Sequence, residues 1–334
     1  MLTKLIISLL TFFTSMMRLF PEEIAHDLAL LSLKILYLIG FKIPQKNNAN
    51  KISLKGITFF NKLGLAAGLD KNGDYIDPLA SLGFGFLEIG TVTPRPQKGN
   101  PKPRLFRISS QKALVNSLGF NNKGVDHLVK NVSKRNSSIP LGISIGKNFD
   151  TPLEKAKYDY LVCLEKVFPY ADYIAINISS PNTQGLRDLF NKEYFSDLIS
   201  SLKSKQIELS KNHKYVPLFL KISPNIDNAH LEQLVEIILK KNIDGIICAN
   251  TSNVHEHSSG KGGISGKPLF ELSSKVLVNL RALVGNDFPI IASGGVMDAE
   301  NFQTKIDNGA DLVQIYTGLI YKGPSLVDEI INSN

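Results

Sequence analysis

The sequence predicts an α/β protein, a closed (β/α)8 TIM barrel that follows an N-terminal helical hairpin. Eight short apolar runs recur along the 334 residues, and stretches of helical periodicity separate most of them. The runs are continuous and do not alternate with polar residues, which is typical of parallel strands buried on both faces. A doubly wound open sheet is the alternative, but no GxGxxG fingerprint follows the first run.

The first element is an apolar segment, residues 5–17, which is shorter than the roughly 20 residues that a membrane-spanning helix needs. No small-residue cleavage site follows it, which argues against a secretory signal. A second helix is expected to have Pro21 at its first position and to stop at Gly40. Most of the surface of this pair is apolar. Residues 1–40 are therefore expected to form a hairpin that either packs on the main body or, as we favour, faces a membrane without crossing it.

Residues 41–334 are expected to form the barrel domain, introduced by a short β-hairpin that turns at Gly56. The eight runs are LGLAA (63–67), FLEIG (86–90), LGISI (141–145), YIAINI (173–178), PLFLKI (217–222), DGIICA (244–249), FPIIAS (288–293) and LVQIY (312–316). Helical patterns lie between most of them, for example at residues 228–242 and 269–285. Because catalytic groups in such barrels stand at the carboxyl ends of the strands, the segments after these runs form the candidate site.

Composition narrows the classes of partner. The formal net charge is +8 and the sequence pI is about 9.2, but the lysines are scattered. This pattern suits an anionic membrane surface or an anionic small molecule and predicts no nucleic-acid partner. Cys163 and Cys248 each lie inside an apolar stretch, so we expect reduced thiols and neither a disulfide framework nor a metal site.

The loops after the runs are rich in amides, hydroxyls and glycines and poor in carboxylates. ASGGV (292–296), YTG (316–318) and GKGGISG (260–266) have the glycines that let backbone N–H groups approach a phosphate. Four asparagines in or near these loops would suit a ligand with amide edges, such as a pyrimidine: Asn116, Asn177, Asn182 and Asn250.

Two kinds of residue bear on the chemistry. Lys221 stands inside an apolar run, where an ammonium is costly unless it reaches the rim or pairs with an anion. Ser180 has no obvious histidine partner and no GxSxG elbow, so it is not expected to be a hydrolase nucleophile.

Two rival functions remain. A phosphosugar lyase or isomerase would share the phosphate loops but should show a Schiff-base lysine or a glutamate base, and Glu88 is the only such strand-end carboxylate. A non-catalytic membrane-associated module would leave Lys221 and Ser180 unexplained.

Several long motifs, in order, resemble those of the quinone-dependent, class 2 dihydroorotate dehydrogenases. They are GLAAGLDKNG, EIGTVTPRPQKGNPKPRLFR, NSLGFNNKG, NISSPNT, KYVPLFLKI and LVQIYTGLIYKGP, and the resemblance runs from about residue 20 to the end. It implies a flavin-dependent barrel that oxidises dihydroorotate to orotate in pyrimidine biosynthesis and passes electrons to a membrane quinone. Soluble class 1 relatives, which carry cysteine at the base position, are the nearest rival.

The resemblance also implies roles for individual residues. Ser180 would be the catalytic base, and His26 and Arg107 would be polar residues of a quinone tunnel. The FMN-binding set would be Ala67, Gly68, Thr91, Ser144, Asn177, Lys221, Ala249, Gly266, Gly295, Tyr316 and Thr317. The substrate set would be Lys71, Asn116, Ser117, Leu118, Gly119, Phe120, Asn177, Asn182, Asn250 and Thr251.

Two positions depart from the family pattern. Ser144 stands where relatives often have asparagine, and Ala249 where threonine is common, so weaker or rearranged flavin contacts are expected. The remaining expectations are a monomer without a metal, held peripherally on the cytoplasmic side of the cell inner membrane by its hairpin and an anionic lipid surface.

Overall fold

The structure is a computed structural model that describes residues 2–40, 51–179, 192–254 and 262–333. The α-helices are α1 (Leu2–Met17), α2 (Glu22–Leu38), α3 (Ile76–Ala80), α4 (Val125–Val132), α5 (Ala156–Val167), α6 (Lys192–Leu209), α7 (Asn228–Lys240), α8 (Phe270–Val284), α9 (Ala299–Asp307), α10 (Thr317–Lys322) and α11 (Pro324–Ser333). The strands are β1 (Ile52–Leu54), β2 (Ile57–Phe59), β3 (Leu63–Leu65), β4 (Phe86–Val92), β5 (Leu105–Ile108), β6 (Ala113–Asn116), β7 (Leu141–Ile145), β8 (Tyr173–Asn177), β9 (Leu218–Ile222), β10 (Gly245–Cys248), β11 (Gly263–Gly266), β12 (Ile290–Ser293) and β13 (Leu312–Ile315).

Eight parallel strands close into a barrel in the order β3–β4–β7–β8–β9–β10–β12–β13, with β13 pairing back to β3. Each of the eight apolar runs contributes one strand, and every residue of these strands is buried. The predicted barrel is therefore confirmed. Two of the helices between the strands start at a capping side chain: Asp227 accepts a hydrogen bond from His230 N at the start of α7, as Asp298 does from Asn301 N at α9.

The amino-terminal end of the barrel is filled by aromatic rings and covered by the β1–β2 hairpin. The Phe86 and Tyr173 ring centroids lie 6.3 Å apart, and Phe59 on β2 meets Phe86 at 5.2 Å. Tyr173 fits only because its neighbouring strand has Gly142, where a Cβ would lie 2.1 Å from the tyrosine Cζ. With this end closed, a ligand site inside the barrel must be at the other end.

A three-stranded antiparallel sheet, in the order β11–β6–β5, lies between the barrel mouth and the N-terminal hairpin. These strands were not predicted, because their residues were assigned to the loops after the barrel strands. The sheet matters for function because residues from it line both cavities described below.

The predicted helical hairpin is present as α1 and α2. Pro21 is the N-cap of α2 and Glu22 is its first residue, one position later than predicted. Helix α1 packs on α10 and α11, where Thr11 Oγ1 accepts a hydrogen bond from Ser325 N at 3.2 Å. None of the helices in the described part of the chain combines the length and hydropathy of a membrane-crossing segment.

Large apolar side chains cover the outer surface of this hairpin. The most exposed are Leu9 (52%), Phe12 (63%), Leu19 (84%), Ile24 (51%), Ile35 (52%), Leu38 (72%) and Ile39 (69%). So many exposed large apolar groups on one small unit are unusual for a surface that meets only water.

Candidate active site

A cavity at the carboxyl ends of the barrel strands encloses about 1060 Å³ of space outside the protein atoms and opens to solvent. It brings together most of the residues named by the resemblance. From the FMN set it is lined by Ala67, Gly68, Thr91, Asn177, Lys221, Ala249, Gly266, Gly295, Tyr316 and Thr317. From the substrate set it is lined by Lys71, Asn116, Leu118, Gly119, Phe120, Asn177, Asn250 and Thr251. We refer to it as the barrel cavity.

Four expected site residues do not line the described cavity. Ser180 and Asn182 lie outside the described residues. Ser144 is fully buried behind Thr91, and their hydroxyl oxygens are 2.8 Å apart. Ser117 N donates to Arg104 O at 2.8 Å. Ser144 therefore hydrogen-bonds a residue of the cavity wall, and its expected flavin contact stays a prediction, as does the substrate contact of Ser117.

Asparagine side chains on neighbouring strand ends form a connected network. Asn177 Nδ2 donates to Thr91 Oγ1 at 2.8 Å, and Asn250 Nδ2 donates to Asn177 Oδ1 at 3.2 Å. Asn250 Nδ2 also donates to Ser179 Oγ at 3.1 Å, and Ser179 Oγ donates to Lys221 O at 2.7 Å. Ser179 is thus fully engaged in holding the rim, so its hydroxyl does not face the cavity.

Lys221 has the anionic partner that its burial requires, and that partner belongs to the protein. Lys221 Nζ lies 3.3 Å from Glu88 Oε1 in a pair of which neither side chain is more than 7% exposed. Glu88 Oε2 accepts further hydrogen bonds from Tyr173 OH at 3.0 Å and Gln314 Nε2 at 2.7 Å. Glu88 is therefore buried inside the barrel, and is not the strand-end base that a lyase or isomerase would need.

Gln314 was not identified from the sequence, although it lines the barrel cavity. Its Oε1 and Thr251 Oγ1 are buried and have no hydrogen-bond partner among the described residues. Such orphaned polar atoms in a cavity wall are expected to meet a ligand, because an unsatisfied buried group costs about 1–3 kcal/mol. A ligand with several amide or hydroxyl groups would satisfy both.

Glycines form one side of the barrel cavity, as the sequence predicted. A Cβ on Gly295 would lie 2.3 Å from Phe270 Cα, and one on Gly266 would lie 2.2 Å from Lys112 O, so neither position accepts a side chain. Thr317 Oγ1 donates to Ser265 Oγ at 2.8 Å beside them. These contacts are with the protein itself, and the bare backbone that they leave at the cavity wall is of the kind that suits a phosphate group. Together with the amide network and the orphaned atoms, it fits FMN.

The charge of Lys71 is tuned by its surroundings. Burial and the nearby Arg104 guanidinium lower the pKa of Lys71 to about 8, although Glu23, Asp70 and Asp27 act in the opposite direction. The ammonium is therefore mostly protonated at neutral pH and faces a cavity that can receive an anion.

A second cavity lies between the N-terminal hairpin and the barrel, and we call it the hairpin cavity. Its lining is largely leucine, with Arg18, Glu22, His26 and Arg107 among the polar exceptions. Desolvation and the charge of Lys71 lower the pKa of His26 to about 4, so the imidazole is neutral at pH 7. Arg107 Nε is buried and has no acceptor among the described residues.

The two cavities are adjacent, because Leu105, Leu114 and Tyr316 line both of them. His26 and Arg107 both line the hairpin cavity, and their role at a quinone stays a prediction. Within the described part of the chain, no cluster of three or more histidine, cysteine, aspartate or glutamate side chains could hold a metal ion.

Comparisons with known proteins agree with one another. Residues 50–333 match a family model described as dihydroorotate dehydrogenase. A curated relative from Shewanella sp. strain MR-4, named dihydroorotate dehydrogenase (quinone), is 48% identical over 322 residues, which cover 94% of this chain and 95% of the relative. A relative of the same name from Azoarcus sp. strain BH72 is 48% identical over 320 residues, which cover 93% of this chain and 94% of the relative.

Solved structures show the same likeness. DHODH from Eimeria tenella in complex with ferulenol aligns with a TM-score of 0.84 and 32% identity, covering 93% of this chain and 90% of that one. The ligand-free type from the same organism gives a TM-score of 0.83 and 33% identity, with 93% of both chains covered.

Proposed function

The chain belongs to the dihydroorotate dehydrogenase family, and from this premise we propose that it oxidises dihydroorotate to orotate in pyrimidine biosynthesis and passes the electrons to a quinone. The observation that carries the proposal is the pair of adjacent cavities. One is polar and stands at the barrel mouth, the other is largely apolar and stands under the hairpin, and they share a wall of three residues.

The polar cavity suits the substrate. Dihydroorotate has a carboxylate and a ring with amide edges. Lys71 would neutralise the carboxylate, and Asn116, Asn177 and Asn250 would hold the amide edges. Ser180 would accept the C5 proton on its hydroxyl oxygen while its own hydroxyl proton passes to water.

FMN is proposed as the resident cofactor. When bound, it supplies the hydride acceptor and carries two electrons onward. The glycines at 266 and 295 would admit its phosphate, Asn177 and Thr91 would hydrogen-bond its ring system, and Lys221 would place a positive charge beside it. Because Glu88 balances that charge, the barrel interior stays neutral when the cavity is empty.

The hairpin cavity is proposed to receive the quinone. Its leucines suit an apolar ring and tail, while Arg107 Nε is a buried donor available to a quinone carbonyl oxygen. His26 can serve as a neutral hydrogen-bonding group there, because its lowered pKa keeps it uncharged.

The exposed hairpin surface is proposed to lie on the membrane that contains the quinone. Its apolar side chains and the net charge of +8 both favour an anionic lipid surface over water. We propose peripheral attachment at the cytoplasmic side of the inner membrane, as a monomer.

An anaerobic titration of the purified protein with dihydroorotate tests the function. We expect a yellow protein that carries FMN, loses its flavin absorbance as dihydroorotate is added, and regains it on addition of a quinone. Fumarate and NAD⁺ serve as control acceptors. Absence of flavin, absence of bleaching, or faster reoxidation by fumarate or NAD⁺ than by quinone would contradict the proposal.

A further inference from the structure

We propose that Glu23, on helix α2 of the hairpin, is a positioning residue for the dihydroorotate site. It acts through Arg104 and Asn100 on residues 117–119, whose Leu118 and Gly119 line the barrel cavity. The inference rests on the proposed function, because that function assigns these loop residues to the substrate. It gives the hairpin a role in the substrate half of the reaction, besides its contact with lipid and quinone.

The first link joins the hairpin to the barrel domain. Arg104 Nε and Nη2 donate to the two carboxylate oxygens of Glu23, each at 3.2 Å. The Arg104 side chain is 7% exposed and the Glu23 side chain 22%, so solvent reaches this bidentate pair only from the carboxylate side. Burial would raise the pKa of Glu23, but hydrogen bonds from Arg104 and Lys102 hold it below its ordinary value. The carboxylate is therefore charged when it holds Arg104.

The second link joins Arg104 to the segment before it. Arg104 Nη1 donates to Lys98 O at 2.6 Å and to Asn100 O at 3.0 Å. The two carbonyl groups lie on a turn of the chain that has no regular secondary structure. The guanidinium is thus the fixed point around which this turn is folded, and Glu23 fixes the guanidinium in turn.

The third link joins this turn to the substrate loop. Asn100 Nδ2 donates to Ser117 O at 2.8 Å, and Asn100 N donates to Leu118 O at 3.2 Å. Gly119 packs so closely on Asn100 that a Cβ would lie 2.9 Å from the asparagine Cγ. A displacement of Asn100 must therefore move Leu118 or Gly119, both of which line the barrel cavity.

The neighbouring carboxylate serves the other cavity. Glu22 lines the hairpin cavity, and its Oε1 accepts a hydrogen bond from Arg107 N at 3.2 Å. Glu23 does not line that cavity. Successive residues at the start of α2 therefore reach different sites, which makes the effect of Glu23 separable from quinone binding.

The test compares Glu23→Gln with Asp27→Asn in the full-length, FMN-loaded protein. Asp27 is an exposed carboxylate about one turn further along α2, so its replacement removes the same charge from the same helix without touching Arg104. The readout is the dissociation constant of orotate, followed by the change in flavin absorbance. We expect Glu23→Gln to weaken orotate by about tenfold, because charge-assisted hydrogen bonds are lost, and Asp27→Asn to change it less than twofold. The KM for a short-chain quinone should stay unchanged in both variants.

A double-mutant cycle checks the path. Asn100→Ala removes the third link and should weaken orotate to a similar degree, and adding Glu23→Gln to it should cost little more. The inference would be overturned if the two losses were fully additive, or if the Glu23 and Asp27 variants lost equal orotate affinity. It would also be overturned if the quinone KM changed while orotate affinity did not. Loss of FMN or of folding in Glu23→Gln would do so as well, since it would make the role purely structural. A parent protein that does not bind orotate would instead refute the proposed function.

Discussion

At the scale of single residues, the site separates groups that bind from groups that hold other groups in place. Ser179 and Ser144 hold Lys221 and Thr91 through hydrogen bonds, while Lys71 and Asn250 face the cavity. The role of Ser179 could not be predicted from the sequence, because its hydrogen bond joins it to Lys221 O, 42 positions along the chain.

Replacing Ser180 with alanine should slow flavin reduction by dihydroorotate. General-base assistance is typically about 10²–10⁴-fold, which corresponds to ~3–5 kcal/mol of barrier. Orotate binding and reoxidation by quinone should change little, because neither needs a proton acceptor. Rapid-mixing absorbance of the flavin measures each half-reaction.

Ser179→Ala is the matched control for that experiment. The Ser179 hydroxyl already contacts Lys221 O and Asn250 Nδ2, so its removal should cause a smaller loss through loosened packing of the rim. A larger loss from the Ser179 variant than from the Ser180 variant would show that Ser180 is not the base.

Orotate affinity should fall as the pH rises above about 8, where Lys71 loses its proton. The protonated ammonium is the form that attracts the carboxylate, so we expect up to roughly a tenfold weakening for each pH unit above that pKa. Lys71→Arg keeps a charge throughout this range and should give a flatter profile. Orotate titrations at pH 6.5 to 9 provide the measurement, and an equally steep profile in the arginine variant would assign the dependence to another group.

At the scale of elements, the barrel could be predicted because its strands are buried on both faces and read as continuous apolar runs. The sheet formed by β5, β6 and β11 could not. Its strands have four residues each, and β11 pairs with β6 across roughly 150 positions of the chain, so no local periodicity identifies them. The pairing of Glu88 with Lys221 was missed for the same reason, since the two residues are 133 positions apart.

The hairpin should attach the protein to lipid through its exposed apolar side chains. Replacing Phe12, Leu19 and Leu38 together with glutamine should reduce binding to anionic vesicles by roughly 100-fold, if each side chain contributes ~1 kcal/mol of burial. Reduction of the flavin by dihydroorotate should remain unchanged. Co-sedimentation with vesicles is the measurement.

A control triple variant has the same glutamine replacement at Ile207, Leu239 and Leu283, which are exposed apolar side chains on helices α6, α7 and α8. It should sediment with vesicles as the parent does. Equal losses in the two triple variants would show that vesicle binding does not involve the hairpin. Point substitutions are preferable to deleting residues 1–40, because deletion would also leave Arg104 without the carboxylate of Glu23.

At the scale of the whole molecule, one buried charge should make stability depend on pH. Lys305 is fully buried between Ser273 Oγ, at 2.7 Å, and the ring of Phe270, and desolvation lowers its pKa from 10.5 to about 8. When folding lowers the pKa of a basic group, the free energy of unfolding is reduced at every pH below the folded pKa. The reduction disappears as the pH rises from the folded pKa to the pKa in the unfolded chain. The difference amounts to at most ~3 kcal/mol.

Lys305→Met should therefore raise the free energy of unfolding at pH 7, by ~1–2 kcal/mol once the lost contacts to Ser273 and Phe270 are subtracted. The gain should shrink between pH 8 and pH 10. Urea unfolding of the flavin-free protein measures it, with Lys275→Met, at an exposed position of the same helix as Ser273, as the control. A gain that is independent of pH from 7 to 10 would mean that folding leaves the pKa of Lys305 unchanged.

The wall of Leu105, Leu114 and Tyr316 also limits the order of events in a catalytic cycle. Because the two proposed sites are separate chambers, we expect that dihydroorotate and quinone need not be bound at the same moment. Initial rates should then follow double-displacement kinetics, with parallel lines in double-reciprocal plots at several fixed quinone concentrations. A compound confined to the leucine-lined chamber would compete with quinone and act uncompetitively toward dihydroorotate, whereas intersecting lines would mean that turnover needs both chambers occupied together.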